Sequence, residues 1–326
     1  MKAHRRLIVR GRAAVYHCMS RTVNGEVKWD DCAKEVLRKQ LWQVADFCGL
    51  QVLTYSIMSN HFHVLVSVPD KGKADAALTD SELLRRYKVL YPEPTLHQQA
   101  RVEVLEAKLK AGGEEAEALR ASLVSRMHDL PEFMRTLKQR FSVWYNQQHE
   151  RFGTLWAERY KSVLVQGEGN PLLIMALYID LNAVRAGMVT DPKAYRFCGY
   201  GEAESGEAKA RRGLAKIVAS FMGNCAHVED AVRQYRERLF ARGSSSGERR
   251  IAREQAARVL NKRGGDLPLD DMLRCTMRCL TDGTVFGTLD FVEEHMHLEG
   301  KRPVPLLKDA LKGLHIQHRL RKPAFQ

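Results

Sequence analysis

Two histidines flank one phenylalanine in the stretch MSNHFHVLV, residues 58 to 66. Side chains alternate across a strand, so His61 and His63 share one face while Phe62, Val64 and Val66 take the other. Two imidazoles on one face of a short apolar strand are a costly way to fill a core. At that spacing they suit a divalent metal ion, and two ligands leave the site open, as catalysis needs. Taken alone, the pair weighs evenly between a metal site and two buried structural histidines.

A second constellation lies in NPLLIMALYIDLNAVRAGMV, which reads as a helix with Pro171 in its first turn and Gly187 near its end. It is apolar around most of its circumference, so its polar exceptions carry information. Tyr178, Asn182 and Arg185 fall at i, i+4 and i+7, on one stripe. A single tyrosine there is more simply a half-buried core residue with a bonded hydroxyl. Set beside the histidine pair, the stripe acquires a chemistry. An ion on His61 and His63, with Asn182 as third ligand or phosphate orienter, would polarise a phosphodiester oxygen. Tyr178 would then be the nucleophile. A phenol with a pKa of about 10 attacks poorly unaided, and a metal and Arg185 nearby would supply the activation. The product would be a DNA strand joined to tyrosine.

The elements that must position these groups are legible. AAVYHCMS reads as a strand, a helix opens near Asp30 and Asp31 and ends at CGL, and QVLTYSIM leads through Ser59 and Asn60 into HFHVLVSV. LPEFMRTLKQRFSVWYNQQHERFG is an amphipathic helix and TLWAERYKSVLVQ a further strand. The order predicts an α+β fold around a ferredoxin-like β-α-β-β-α-β core built from residues 1–70 and 131–200. Residues 71–130 form an insertion whose helical hairpin breaks at Gly112 and Gly113, with Leu105, Leu109, Leu119 and Leu123 inside. Residues 201–247 read as a helical connector ending in the linker GSSSG. Residues 248–326 read as a separate basic helical extension, a candidate DNA-binding accessory.

Several stretches in order resemble the REP-associated tyrosine transposases, a branch of the single-tyrosine HUH transposases. They are VYHCMSRTVNGE, YSIMSNHFHVLVSVPD, RFGTLWAERYKSVLVQ, YIDLNAVRAGMV and YRFCGYG, spanning about residues 5 to 200 around the insertion. The resemblance implies a nuclease that cuts single-stranded DNA near imperfect hairpins, leaving a 5′-phosphotyrosine and a free 3′-hydroxyl. It implies His61 and His63 as metal ligands, Tyr178 as nucleophile, Asn182 as a polar group at the metal, and Mg2+ or Mn2+ as the ion. This chain has Asn182-Ala183 where the family commonly reads Asn-Pro, which removes no catalytic group. Tyr145 and Tyr160 are the other tyrosines in nearby motifs.

The balance of 52 Lys and Arg against 39 Asp and Glu gives a formal charge of +13, which favours a polyanionic partner. Arg140, Arg159, Lys161 and Arg185 are the expected phosphate contacts, with Phe141, Trp144 and Leu155 left to the core. His17 on the first strand is expected to be a structural hydrogen-bond partner. The seven cysteines form no CxxC pair, so neither a disulfide framework nor a thiolate zinc site is expected, and Cys275 and Cys279 read as core-facing. The N-terminus lacks the apolar run of a signal peptide and no stretch is long enough to span a bilayer, so a cytoplasmic protein is expected. Either a monomer or a homodimer fits. The rival readings are a hairpin-binding regulator without catalysis and an HUH replication initiator or relaxase.

Overall fold

The computed structural model describes residues 6–25, 29–222, 228–240, 279–295, 304–305 and 314–318. The chain is α+β. Strand β1 is Ala14–Arg21, and its alternation puts Tyr16 and Cys18 on one face and His17 and Met19 on the other. Helix α1, Asp31–Cys48, begins where the Asp30 side chain accepts from the Ala33 amide. It stops at Gly49, which adopts the left-handed conformation (φ 65°) in which its N–H closes onto Ala45 and Asp46. Strands β2, Gln51–Ile57, and β3, His61–Val68, follow, joined by a tight turn in which the Met58 amide donates to the His61 carbonyl.

The insertion is four helices: α2 (Lys71–Ala76), α3 (Asp80–Val89), α4 (Leu96–Ala111) and α5 (Gly113–Val124). The expected break falls at Gly112 and Gly113, both at positive φ. Leu109 and Leu123 are buried and Leu105 and Leu119 partly so. Helix α6, Leu130–Gln148, is capped by Asp129 and buries Phe133, Leu137 and Phe141. Strand β4 is only Lys161–Val165. The sequence suggested a longer strand from Thr154, but Trp156 makes only an isolated bridge to Thr22 and turns its indole onto Phe62 and Phe141.

Strands β1 to β4 pair antiparallel in the order β2-β3-β1-β4. The sheet continues beyond β4. The extension expected to be separate and helical instead contributes β5 (Gly283–Thr288), which lies parallel to β4, then β7 (Leu314–His318) and β6 (Val304–Pro305). Two short helices, α12 (Cys279–Asp282) and α13 (Leu289–Glu294), flank β5. The correction has a physical cause: without β5, β4 would be an open edge with unpaired backbone groups. The linker at 243–247 and Cys275 lie outside the described residues.

Helix α7, Gly169–Asp180, packs over β2 and β3 on the histidine face. The sequence suggested one helix to residue 188, whereas the structure interrupts it at Leu181 and resumes as α8, Asn182–Arg185. The interruption is slight, since the Leu181 and Arg185 amides still reach the Leu177 and Leu181 carbonyls at 3.0 and 2.9 Å. Helices α9 (Gly199–Glu204), α10 (Ala208–Met222) and α11 (Val228–Phe240) complete that layer, with α10 seated on β2. No helix among the described residues is long and apolar enough to cross a membrane.

Candidate active site

Strand register decides what the histidines meet. His63 lies opposite Met19 and His61 opposite Arg21, so β1 places His17, Met19 and Arg21 on the same face as the pair. Phe62, Val64 and Val66 point the other way and are buried. Helix α7 then lays the Tyr178 ring edge-on against His17 and His63, with ring centroids 6.2 and 6.1 Å apart. The Arg185 guanidinium stacks over the Tyr178 ring at 3.9 Å, a cation–π contact.

These groups open onto one cavity of about 640 Å³, lined by His61, His63, Tyr178, Asn182, Arg185, Arg159, Lys161 and Arg21, with Glu158 and Thr281 also in its lining. Two strands, the β4 approach and two helix segments thus converge on a phenol, two imidazoles and four cations. Lys161 also pairs with Glu158 at 3.6 Å. The Asn182 Nδ2 group is buried with no hydrogen-bond partner among the described residues, which leaves a donor for an incoming phosphate oxygen.

The imidazoles are neutral. Burial lowers the His61 pKa to about 4, helped by the cations Arg21 and Arg185. Burial pushes His63 well below the usual histidine value, with His17, His61 and Arg185 adding to the effect. Neutral imidazole is the form that ligates a metal. The His61 Nδ1 faces the Asn60 side-chain oxygen at 2.8 Å, so Nδ1 carries the proton and Nε2 keeps its lone pair. Asn60 is itself oriented, because its Nδ2 donates to the Gly25 carbonyl at 2.9 Å. This donor set fits a divalent ion with two nitrogen ligands and the remaining positions left to Asn182, water or phosphate. Among the described residues no three His, Cys, Asp or Glu side chains converge on such a site.

The structure gathers all but one of the expected site residues. Arg140 lies elsewhere: its guanidinium donates to the Leu90 carbonyl at 2.7 Å and stacks on the Tyr91 ring, so it seats the insertion on α6 rather than facing the cavity. Tyr145 is buried against Phe141 and His149, and Tyr160 lies beneath Arg6, so neither reaches the cavity. Burial raises the pKa of both phenols. His17 is a hydrogen-bond partner, as expected, with Nε2 2.8 Å from the His63 Nδ1. Sequence reasoning missed Arg21, which the alternation of β1 could have revealed, and Thr281, for which the sequence carries no signal.

No family model matches the chain, and no curated protein matches it. Among solved structures it is similar to a REP-associated tyrosine transposase bound to a REP hairpin, at 12% identity and a TM-score of 0.40, over 77% of this chain and 100% of that one. So distant a likeness bears no weight for mechanism, which must come from the chain's own residues.

Proposed function

We propose that this chain is a metal-dependent single-stranded-DNA endonuclease and strand transferase of the REP-associated tyrosine transposase type, with hairpin DNA as its substrate. The observation that carries the reading is the cavity itself, in which Tyr178, its ring against His63, shares the lining with the neutral His61 and with the cations Arg21, Arg159, Lys161 and Arg185. The antiparallel order β2-β3-β1-β4, with α1 and α6 as crossovers, supports a ferredoxin-like core.

In the proposed step the Tyr178 oxygen attacks the scissile phosphorus and the P–O3′ bond breaks. The phenolic proton passes to solvent, the leaving 3′-oxygen takes a proton from solvent, and the 5′-phosphate stays on tyrosine. Tyr178 is the catalytic nucleophile, Arg185 and Arg159 hold phosphate oxygens, and the Asn182 amide donates to the same group. Mg2+ or Mn2+ on His61 and His63 would supply Lewis-acid polarisation of the phosphate. Because the phosphodiester energy is kept in the tyrosyl bond, attack by a 3′-hydroxyl reverses the step without ATP.

The test incubates full-length protein with 3′-labelled, hairpin-bearing single-stranded oligonucleotides and Mg2+ or Mn2+, and reads a covalent adduct on a denaturing gel. The expected adduct requires metal and disappears in Tyr178→Phe and His61→Ala. An adduct that survives Tyr178→Phe refutes the nucleophile. Tight binding with no adduct across a broad panel replaces the reading with a hairpin-binding protein.

A further inference from the structure

The ring nitrogens of His17 are both engaged. Nδ1 lies 3.1 Å from the Leu280 backbone carbonyl, and Nε2 lies 2.8 Å from the His63 Nδ1. A carbonyl oxygen only accepts, so the His17 Nδ1 carries a proton and donates it. His17 is 1% exposed, and its only described hydrogen bonds are to Leu280 and His63, with no carboxylate to pair an imidazolium. A buried unpaired charge is costly, so the ring is neutral and its Nε2 is bare. A bare Nε2 accepts. The His63 Nδ1 therefore carries the proton of that ring, and the His63 Nε2 keeps a lone pair.

We infer that His17 is a positioning residue which, anchored by the Leu280 carbonyl, fixes His63 in the tautomer whose Nε2 can ligate a metal ion. Its consequence for metal binding rests on the function proposed above, whereas the proton order rests on the hydrogen bonds alone. Carbonyl, His17 and His63 form a relay of donated hydrogen bonds in which each proton is set by the acceptor ahead of it. Partners of this kind orient metal-bound histidines and raise their basicity. His61 is served separately, by Asn60. Thus each histidine has its own orienting acceptor, Asn60 from the turn before β3 for His61 and His17 from β1 for His63, the latter anchored in turn by the segment leading into β5.

The stacking of the His17 and His63 rings, with centroids 5.0 Å apart and planes 20° from parallel, invites a rival account in which His17 only packs. Leucine separates the two. It fills a similar volume but offers no acceptor, whereas glutamine at the same place presents an amide oxygen to the His63 Nδ1. Ring-15N-labelled histidine in the full-length, metal-free protein reads the tautomer directly, with the His63 signals assigned by His63→Gln.

Wild type is expected to show His63 protonated on Nδ1, and the opposite tautomer overturns the proposal. His17→Leu is expected to leave His63 as a mixture of tautomers and to weaken Mn2+ binding, read by titration calorimetry, about 10- to 100-fold. His17→Gln should restore most of both. A leucine variant that matches wild type in tautomer and Mn2+ affinity overturns the proposal in favour of packing. If leucine prevents folding, the wild-type spectrum and the glutamine variant still decide. A wild type with the expected tautomer that binds no Mn2+ refutes the metal function proposed above and leaves the proton order standing.

Discussion

Asp180 offers a quantitative test of how the tyrosine helix is held. It is fully buried, two residues past Tyr178, and its carboxylate accepts from the Thr54 hydroxyl at 2.7 Å, the Tyr235 hydroxyl at 2.6 Å and the Tyr200 amide at 3.2 Å. Burial raises its pKa from 3.8 to about 6, and the three donors only partly offset that. The folded state therefore holds its proton more tightly than the unfolded state. Below about pH 4 both states are protonated and the full stability is present. Between 4 and 6 the unfolded chain ionises first, and stability falls as pH rises. Above 6 both are ionised, and the loss is complete at about 3 kcal/mol, from roughly 1.4 kcal/mol per unit of pKa difference. Asp180→Asn carries no charge at any pH and keeps an oxygen for Thr54 and Tyr200. The stability of this variant relative to wild type should climb by about 3 kcal/mol from pH 4 to pH 7, measured by denaturant unfolding followed through tryptophan fluorescence. Tyr235→Phe removes a donor to the carboxylate, so in that background the climb should be larger. A difference that is flat with pH, or that grows toward acid, refutes the account of a destabilising buried carboxylate.

Other outcomes follow from the cavity and its supports. Lys161→Ala and Arg159→Ala should each lower the slope of log affinity against log salt for single-stranded DNA by about 0.7; unchanged slopes would mean these cations do not touch phosphate. Gly213→Ala on α10 would drive a methyl group into the carbonyl oxygens of Val52 and Leu53. Overpacking of that kind costs about 2 kcal/mol, and a neutral result in thermal unfolding would mean that α10 does not sit on the β2 backbone. Glu202→Ala strips a buried carboxylate from Arg38, the Trp42 indole and the Tyr55 hydroxyl. About 3 kcal/mol should be lost, the lower end of the range because Arg38 keeps its bond to Glu35; a loss under a third of that would show the cluster to be solvated.

The first three strands and α1 were legible because their signals are local: alternation in HFHVLVSV, the Asp30 cap and Gly49 at the helix end. Tyr178 could be set beside the histidines on periodicity together with the family resemblance, and the structure puts its ring against that of His63. Arg140 misled because a charge on an amphipathic helix does not announce whether solvent or an inserted helix will cover it. The end of the chain misled more deeply. TDGTVFGTLDF is short and punctuated by glycine, so it carries little alternation, and its pairing with β4 is a contact across more than a hundred residues that no local pattern encodes. The proton order of His17 and His63 was out of reach for the same reason, since it depends on a backbone carbonyl supplied by Leu280.

That distant pairing places the site in time as well as in space. A ribosome adding about 5 to 20 residues per second reaches Leu280 some 5 to 20 s after Tyr178. Until then a growing chain carries the phenol and both imidazoles, but β4 lacks its outer neighbour and His17 lacks the carbonyl it donates to. Order at the histidines is thus among the last things synthesis delivers. A polypeptide cut short before Leu280 would keep the residues most readily recognised as catalytic and lose the carbonyl that anchors His17 and, through it, the proton of His63.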